Sequence, residues 1–556
     1  MKKYFLASLI VVLLIGCKND KTQEKEMSKE VVSNFDWDAA NVYFLLTDRF
    51  NNGDKSNDNT VPRDEETATL RGFEGGDFVG IQNKIEENYF TDLGVNAIWL
   101  TPIFEQVKGG VDEGTGYTYA YHGYWAKDWT AIEPAYGTME EFKSLVQAAH
   151  DKGIRILLDV VINHAGPVTE QDPVWPEDWV RTGPVCTYQD QETAVSCTLT
   201  NNLPDVLTDS KEEVELPPAL VQKWKDEVRY EEEVQELDAF FEESGLARTP
   251  ANHLIKWVTD YARETGVDGF RIDTVKHVEE EVWATFIEQA QIAYEQWKDE
   301  HPDLMIHNDP FFIIGELYGY YAAGGRAYNF NEVPVDYFNV GYDAMINFGF
   351  KEDAGLNYKA LFQKYADIKS NLNKETDSDV VSFMNYISSH DDGQPYDPQR
   401  ESGIEAGTKL LLSPGISQIY YGDESSRILS ADGAEGDANL RTNMNWDNMD
   451  DATLEHWQQL GRFRRDHPAV GAGKHYSLDH TGSGTLAARF YEKDDYKDDV
   501  LIGAGLENGE ITIDVSKVFP DIDELRNAYS DTIHVVEDGK IITTAINGVV
   551  LLEPYF

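Results

Sequence analysis

The sequence predicts an α/β protein: a (β/α)8 TIM barrel with an inserted domain after strand 3 and a C-terminal antiparallel β domain. Three observations predict it. Short apolar runs alternate with stretches of helical periodicity, the pattern of a parallel sheet joined by crossover helices. Four of those runs end in reactive side chains: Asp159-Val-Val-Ile-Asn-His164, Gly269-Phe-Arg-Ile-Asp273, Ile314-Gly-Glu-Leu317 and Ser389-His-Asp391. In a barrel the strand C-termini converge on one face, and the active site forms there. Past residue 472 the texture changes to short strands between Gly/Asp turns.

The elements follow in order. The first strand is expected at 42–46 and the second at 97–100, after an amphipathic stretch around 81–93. A helix near 139–152 leads to the third strand at 154–160. An insertion of roughly 165–250 follows, with two cysteines and an acidic, helix-prone stretch near 218–243. The barrel resumes with a helix near 252–265, a fourth strand at 269–272, a long helix over 279–300 and a fifth strand at 311–315. The sixth strand is expected near Phe338 or Met345, the seventh at 381–387 and the eighth at 417–421. The barrel thus occupies 36–164 and 251–471, with the β domain at 472–556 and strands near 485–491, 500–505 and 510–515.

A chain of 556 residues, 41% hydrophobic, suffices for a large barrel plus smaller domains. Asp and Glu number 100 against 47 Lys and Arg, a formal charge of −53. Such a surface repels nucleic acid and anionic membranes and suits a neutral substrate. Lys2 and Lys3 precede an apolar run over 5–15 that is too short to span a bilayer. The run closes on Leu14-Ile-Gly-Cys17, which resembles a bacterial lipoprotein cleavage box. That resemblance implies a signal peptide at 1–16, lipid on Cys17 and a polar tether at 17–35. It implies an exported Gram-negative lipoprotein at the outer membrane or cell surface, touching membrane only through its lipid. Cys186 and Cys197 are expected to pair in an oxidising compartment, with two free thiols as the alternative.

Arg271 and Asp273 lie two apart at a strand end, so both side chains share a face. A guanidinium there keeps the aspartate ionised, as a glycosyl nucleophile requires. Glu316 follows an apolar run, a setting that raises a carboxyl pKa and suits a general acid. Asp391 adjoins His390. Each has a plain structural alternative: an ion pair, a buried glutamate, a helix cap.

Taken in order, these motifs resemble the α-amylase family of glycoside hydrolases. Gly269-Phe-Arg-Ile-Asp-Thr-Val-Lys-His277, Leu203-Pro-Asp205, Tyr121-His-Gly-Tyr-Trp125 and Tyr420-Tyr-Gly-Asp-Glu424 extend the match. The resemblance implies a retaining mechanism with Asp273 as nucleophile, Glu316 as acid/base and Asp391 steadying the distorted sugar. Its two principal carboxylates stand about 5 Å apart. Substrate would meet Tyr124, Trp125, His164, Arg271, Lys276, His277 and His390. The resemblance also implies structural calcium. One site would use Asn52, Asp54, Asn57, Asp58, Gly75 and Asp77, and a second Asn163, Asp205 and the His277 carbonyl. Lys276-His277 resembles α-amylases and cyclodextrin glucanotransferases more than α-glucosidases, and the run 268–279 with the upstream Arg248-Thr-Pro resembles exported α-amylases of the enteric periplasmic type. The implied reaction is endo-hydrolysis of α-1,4 bonds in starch, glycogen or maltodextrins by a monomer. Transglycosylation or small-oligosaccharide hydrolysis is the alternative within the family, and a non-catalytic glycan-binding lipoprotein lies outside it.

Overall fold

The computed structural model describes residues 35–63, 65–331, 333–374 and 380–556. The leader, Cys17 and nearly all of the tether lie outside the described residues. Among the described residues no helix is long and apolar enough to cross a membrane.

Eight parallel strands close a barrel in sequential order. They are β1 (Asn41–Leu45), β2 (Ala97–Leu100), β3 (Arg155–Val160), β4 (Gly269–Ile272), β5 (Phe312–Gly315), β6 (Ala344–Asn347), β7 (Ser382–Asn385) and β8 (Ile416–Tyr420). Register runs from Val42 against Ala97 round to Asn41 against Ser417. Nearly every strand residue is buried on both faces, which is why these strands read as continuous apolar runs rather than alternating ones. Phe44 and Trp99 stack inside, with centroids 3.7 Å apart.

The sixth strand lies at Met345. Phe338 falls instead in a 3-10 turn, Tyr337–Val340, capped by the Asp336 side chain. The helices follow the residues that start and stop them. Thr138 and Glu141 form a capping box at Met139–His150, worth about 1 kcal/mol. Thr249 caps Pro250–Thr265, which begins on proline and ends at Gly266 with φ 71°.

Two excursions rise from the strand C-termini. After β2, Phe104–Gln106 pairs with Ala126–Ile132 in an antiparallel ribbon that the sequence reading did not foresee. After β3 come a short ribbon (Val180–Arg181 with Asp205–Val206) and the helices Pro218–Asp226 and Tyr230–Ser244. Trp179 and Trp224 pack on Trp257 and fasten this segment to the Pro250–Thr265 helix. Cys186 and Cys197 form a disulfide.

The C-terminal part is a six-stranded antiparallel sheet with a two-stranded companion, around its own core of Leu501, Ile513, Leu525 and Leu552. At its junction with the barrel, Val500, Ile502, Val549 and Leu551 join the barrel's apolar core, and polar contacts flank them. His467, just past the helix Asp451–Asp466, contacts Asp498 at 2.7 Å and also Glu553.

Candidate active site

One cavity of about 550 Å3 opens at the strand C-termini and is lined by Tyr124, Trp125, His164, Asp273, Lys276, His277, Glu316, His390 and Asp391. Arg271 is its electrostatic hub. Its Nη1 donates to Asp159 Oδ1 at 2.9 Å and to Asp273 Oδ1 at 2.7 Å. Alternation along β4 sends Arg271 inward, with Trp99 4.9 Å from the guanidinium. Asp159 also accepts from Tyr124 Oη at 2.8 Å and Trp99 Nε1 at 3.1 Å. Burial works against its charge, and Arg271 opposes that. The sequence reading missed Asp159 as a site residue, although it opens one of the four motifs. It holds Arg271 and Tyr124 through these hydrogen bonds.

Asp273 and Glu316 end neighbouring strands. The Glu316 N–H bonds the Ile272 carbonyl at 2.8 Å, and the Thr274 N–H donates to Glu316 Oε2 at 3.0 Å. Thr274 sits at φ 52°, a left-handed conformation that a β-branched residue avoids and that costs about 1–3 kcal/mol. The surrounding bonds hold that strain directly after Asp273. Glu316 is buried, which pushes its carboxyl up to about 8; the Asp273 charge adds to this, and Arg271 opposes it. One carboxylate is therefore salt-bridged and open to the cleft, while its neighbour is held protonated at neutral pH.

The other expected residues assemble around this pair. Asp391 stands at the mouth and accepts from Ser389 Oγ at 3.2 Å. His390 stacks on Tyr124, and burial lowers its pKa to about 4. His164, also lowered by burial, contacts the Tyr124 carbonyl through Nε2 at 2.9 Å. Trp125 is buried against His122, and Arg441 donates to the His390 carbonyl at 2.9 Å. Lys276 donates to the Tyr318 carbonyl at 3.1 Å, and His277 Nδ1 meets the Ala194 carbonyl at 2.7 Å. Tyr188 and Tyr318 line the same cavity. No sequence motif marked them, because they come together only in the fold.

The proposed calcium ligands gather in two places. At the loop after β1, Asn52 Oδ1 and Asn57 Oδ1 are buried without hydrogen-bond partners. A Cβ on Gly75 would lie 2.7 Å from Asp58 Oδ1, so the glycine backbone closes tightly on that cluster. Orphaned carbonyl oxygens beside a carboxylate suit a hard cation. Asp77 caps the helix Phe78–Glu86 and accepts from the N–H groups of Gly53, Asp54 and Gly80. Asp54 accepts from the Ser56 N–H and Oγ at 2.9 Å each. Between β3 and the insertion, Asp205 Oδ2 and the Asn163 amide nitrogen lack hydrogen-bond partners. Arg181 Nε approaches Asp205 at 2.9 Å, yet burial pushes the Asp205 carboxyl up to about 9. The first donor set fits a cation; in the second, Asp205 Oδ2 already faces Arg181 and the orphaned Asn163 atom is itself a donor. A further acidic group, Glu236, Asp260 and Glu264, lies apart from these, threaded by Lys256 and Arg263.

Comparison with known proteins bears on this arrangement. Residues 44–467 match the family model described as alpha amylase, catalytic domain. The chain is 34% identical over 505 residues to the periplasmic alpha-amylase of Escherichia coli strain K12, covering 80% of this chain and 69% of that one. It is 26% identical over 535 residues to the cyclomaltodextrin glucanotransferase of Geobacillus stearothermophilus, spanning 64% of that protein. The crystal structure of an Anoxybacillus alpha-amylase superposes with a TM-score of 0.63 at 23% identity, covering 94% of this chain and 99% of that one.

Proposed function

The chain belongs to the α-amylase family of glycoside hydrolases, and from that premise we propose that it hydrolyses internal α-1,4-glucosidic bonds of starch, glycogen or maltodextrins with retention of configuration. The observation that supports this most is the divergence of Asp273 and Glu316 across one cavity, one carboxylate bound to Arg271 and the other buried. Asp273 attacks the anomeric carbon as the Glu316 carboxyl gives its proton to the departing oxygen. The glycosyl–Asp273 ester is then opened by water, whose proton returns to the Glu316 carboxylate. Tyr124 offers its ring to the apolar face of the sugar at the cleavage point. His164, His390 and Asp391 bind its hydroxyls. Burial lowers the pKa of both histidines and so favours the uncharged imidazole; the ring nitrogens of His164 also hold Asn163 Oδ1 and the Tyr124 carbonyl.

A second reading is transfer to an acceptor sugar in place of water. The tyrosines around Lys276 favour it, because stacked rings hold an incoming sugar well. Calcium is common in this family. Here it would be held by Asn52, Asp54, Asn57, Asp58, Gly75 and Asp77, and at a second site by Asn163, Asp205 and the His277 carbonyl, where Arg181 would have to release Asp205. It would supply structural charge neutralisation, not Lewis-acid chemistry. The similarity to a periplasmic enzyme is consistent with export. Lipid anchoring through Cys17 belongs to the same proposal, and loss of membrane association in Cys17→Ser tests it.

The function is tested by incubating the purified protein with soluble starch beside Asp273→Asn. Rapid shortening of long chains by the parent, absent from the variant, supports endo-hydrolysis. Growth of transfer products favours the second reading. Starch binding without turnover in both would overturn the catalytic assignment.

A further inference from the structure

The segment from Cys186 to Cys197 is a small closed loop whose tip faces the cleft. Inside it, the N–H groups of Gln189 and Asp190 both donate to Thr193 Oγ1, at 2.9 and 3.0 Å, and Thr193 N–H donates back to Asp190 Oδ1 at 2.9 Å. Its base is closed by Cys186 N–H to the Thr198 carbonyl at 2.9 Å and by the disulfide. It docks on the segment that follows Asp273 at two points. The Ala194 carbonyl meets His277 Nδ1 at 2.7 Å, and Gln191 Nε2 donates to Glu280 at 2.8 Å.

This loop presents Tyr188. The residue has φ 55°, a conformation that a bulky side chain adopts only when its neighbours impose it. Its ring is half exposed, meets His277 edge-on at 5.8 Å and lies 5.3 Å from Lys276 Nζ. Across Lys276 stands Tyr318, 5.2 Å from the ammonium and two residues beyond Glu316. Glu316 is the proposed proton donor to the leaving group, so rings beyond it meet the departing sugar or an incoming acceptor.

We propose that the Cys186–Cys197 disulfide is a positioning element for the leaving-group side of the cleft, holding Tyr188 opposite Tyr318 across Lys276. The inference rests on the glucan-cleaving reading of the site. Opening the disulfide frees the loop base, Tyr188 relaxes from its left-handed conformation, and the sugar beyond Glu316 loses one stacking face. Binding of long substrates weakens while the chemistry at Asp273 and Glu316 is retained.

The test compares the parent with Cys186→Ser/Cys197→Ser on two substrates. One is maltoheptaose, which fills both sides of the cleft. The other is an aryl α-maltoside, whose departing group is not a sugar. The KM for maltoheptaose should rise about tenfold, the size of one lost aromatic contact, with kcat little changed. Aryl maltoside turnover should stay within about twofold of the parent. Tyr188→Ala should raise the maltoheptaose KM equally, add nothing to the serine pair, and be rescued by Tyr188→Phe. Should the serine pair fail to fold, mild reduction of the folded parent, followed by thiol counting, gives the same readout and should be reversed by reoxidation. An unchanged KM, or equal losses on both substrates, overturns the inference. A parent that cleaves neither substrate would instead overturn the functional reading, so the two failures are distinguishable.

Discussion

Raising the pH through 8 should silence this enzyme by removing one proton from Glu316. Its carboxyl is pushed up to about 8 by burial, with the Asp273 charge adding to the shift. With that value roughly nine in ten molecules carry the proton at pH 7 and roughly one in ten at pH 9. The Michaelis parameter kcat/KM on maltoheptaose should therefore fall about tenfold per pH unit above 8. Glu316→Gln should lose about 10²–10⁴-fold on maltoheptaose, whose leaving oxygen needs the proton, and far less on an aryl maltoside. In that variant the alkaline limb on the aryl substrate should vanish. Asp273→Asn removes the neighbouring charge, so the Glu316 pKa should drop, as carbon-13 NMR of labelled glutamate would show. An alkaline limb of the same midpoint in Glu316→Gln, or no fall in the parent between pH 7 and 9, would refute the assignment.

Other predictions follow from the same geometry. His467 lies between Asp498 and Glu553, with Arg526 behind Glu553; burial alone would lower its pKa, but those hydrogen bonds outweigh it and push it to about 9. Its folded pKa exceeds the ordinary 6.5, so its stabilisation is complete below pH 6.5 and is lost as pH rises through 9. At about 1.4 kcal/mol per pH unit the loss is about 3 kcal/mol, and urea unfolding at pH 6 and 10 should show it in the parent but not in His467→Gln. Arg271→Met leaves the buried Asp159 carboxylate uncompensated, so thermal unfolding should report a loss of about 3–5 kcal/mol together with activity. Chelation should lower the melting temperature and calcium should restore it; Asp58→Ala should shrink that calcium-dependent shift, read by calorimetry without any substrate.

Much of the barrel was legible because buried parallel strands carry a strong local signal. Seven strands begin or end within a residue or two of the apolar runs that predicted them, as at Gly269–Ile272. The sixth was harder. Ala344–Asn347 follows aromatic residues that pack as a 3-10 turn, so Phe338 competed on hydrophobicity alone. The ribbon Phe104–Gln106 with Ala126–Ile132 escaped notice because nineteen residues separate its halves and two register shifts break its pairing. At the site, residues on strand ends were readable from motifs, since the strand itself delivers them to the cleft. Tyr188 was not, because its position depends on a disulfide and on docking against His277.

The central claim is double displacement on an α-glucosidic bond by Asp273 and Glu316. Proton NMR of the first products from maltoheptaose, recorded before mutarotation, tests it most directly. The account predicts that the new reducing ends appear as the α-anomer and only later equilibrate. New ends that appear first as the β-anomer would mean direct attack by water, and would contradict the role given to Asp273.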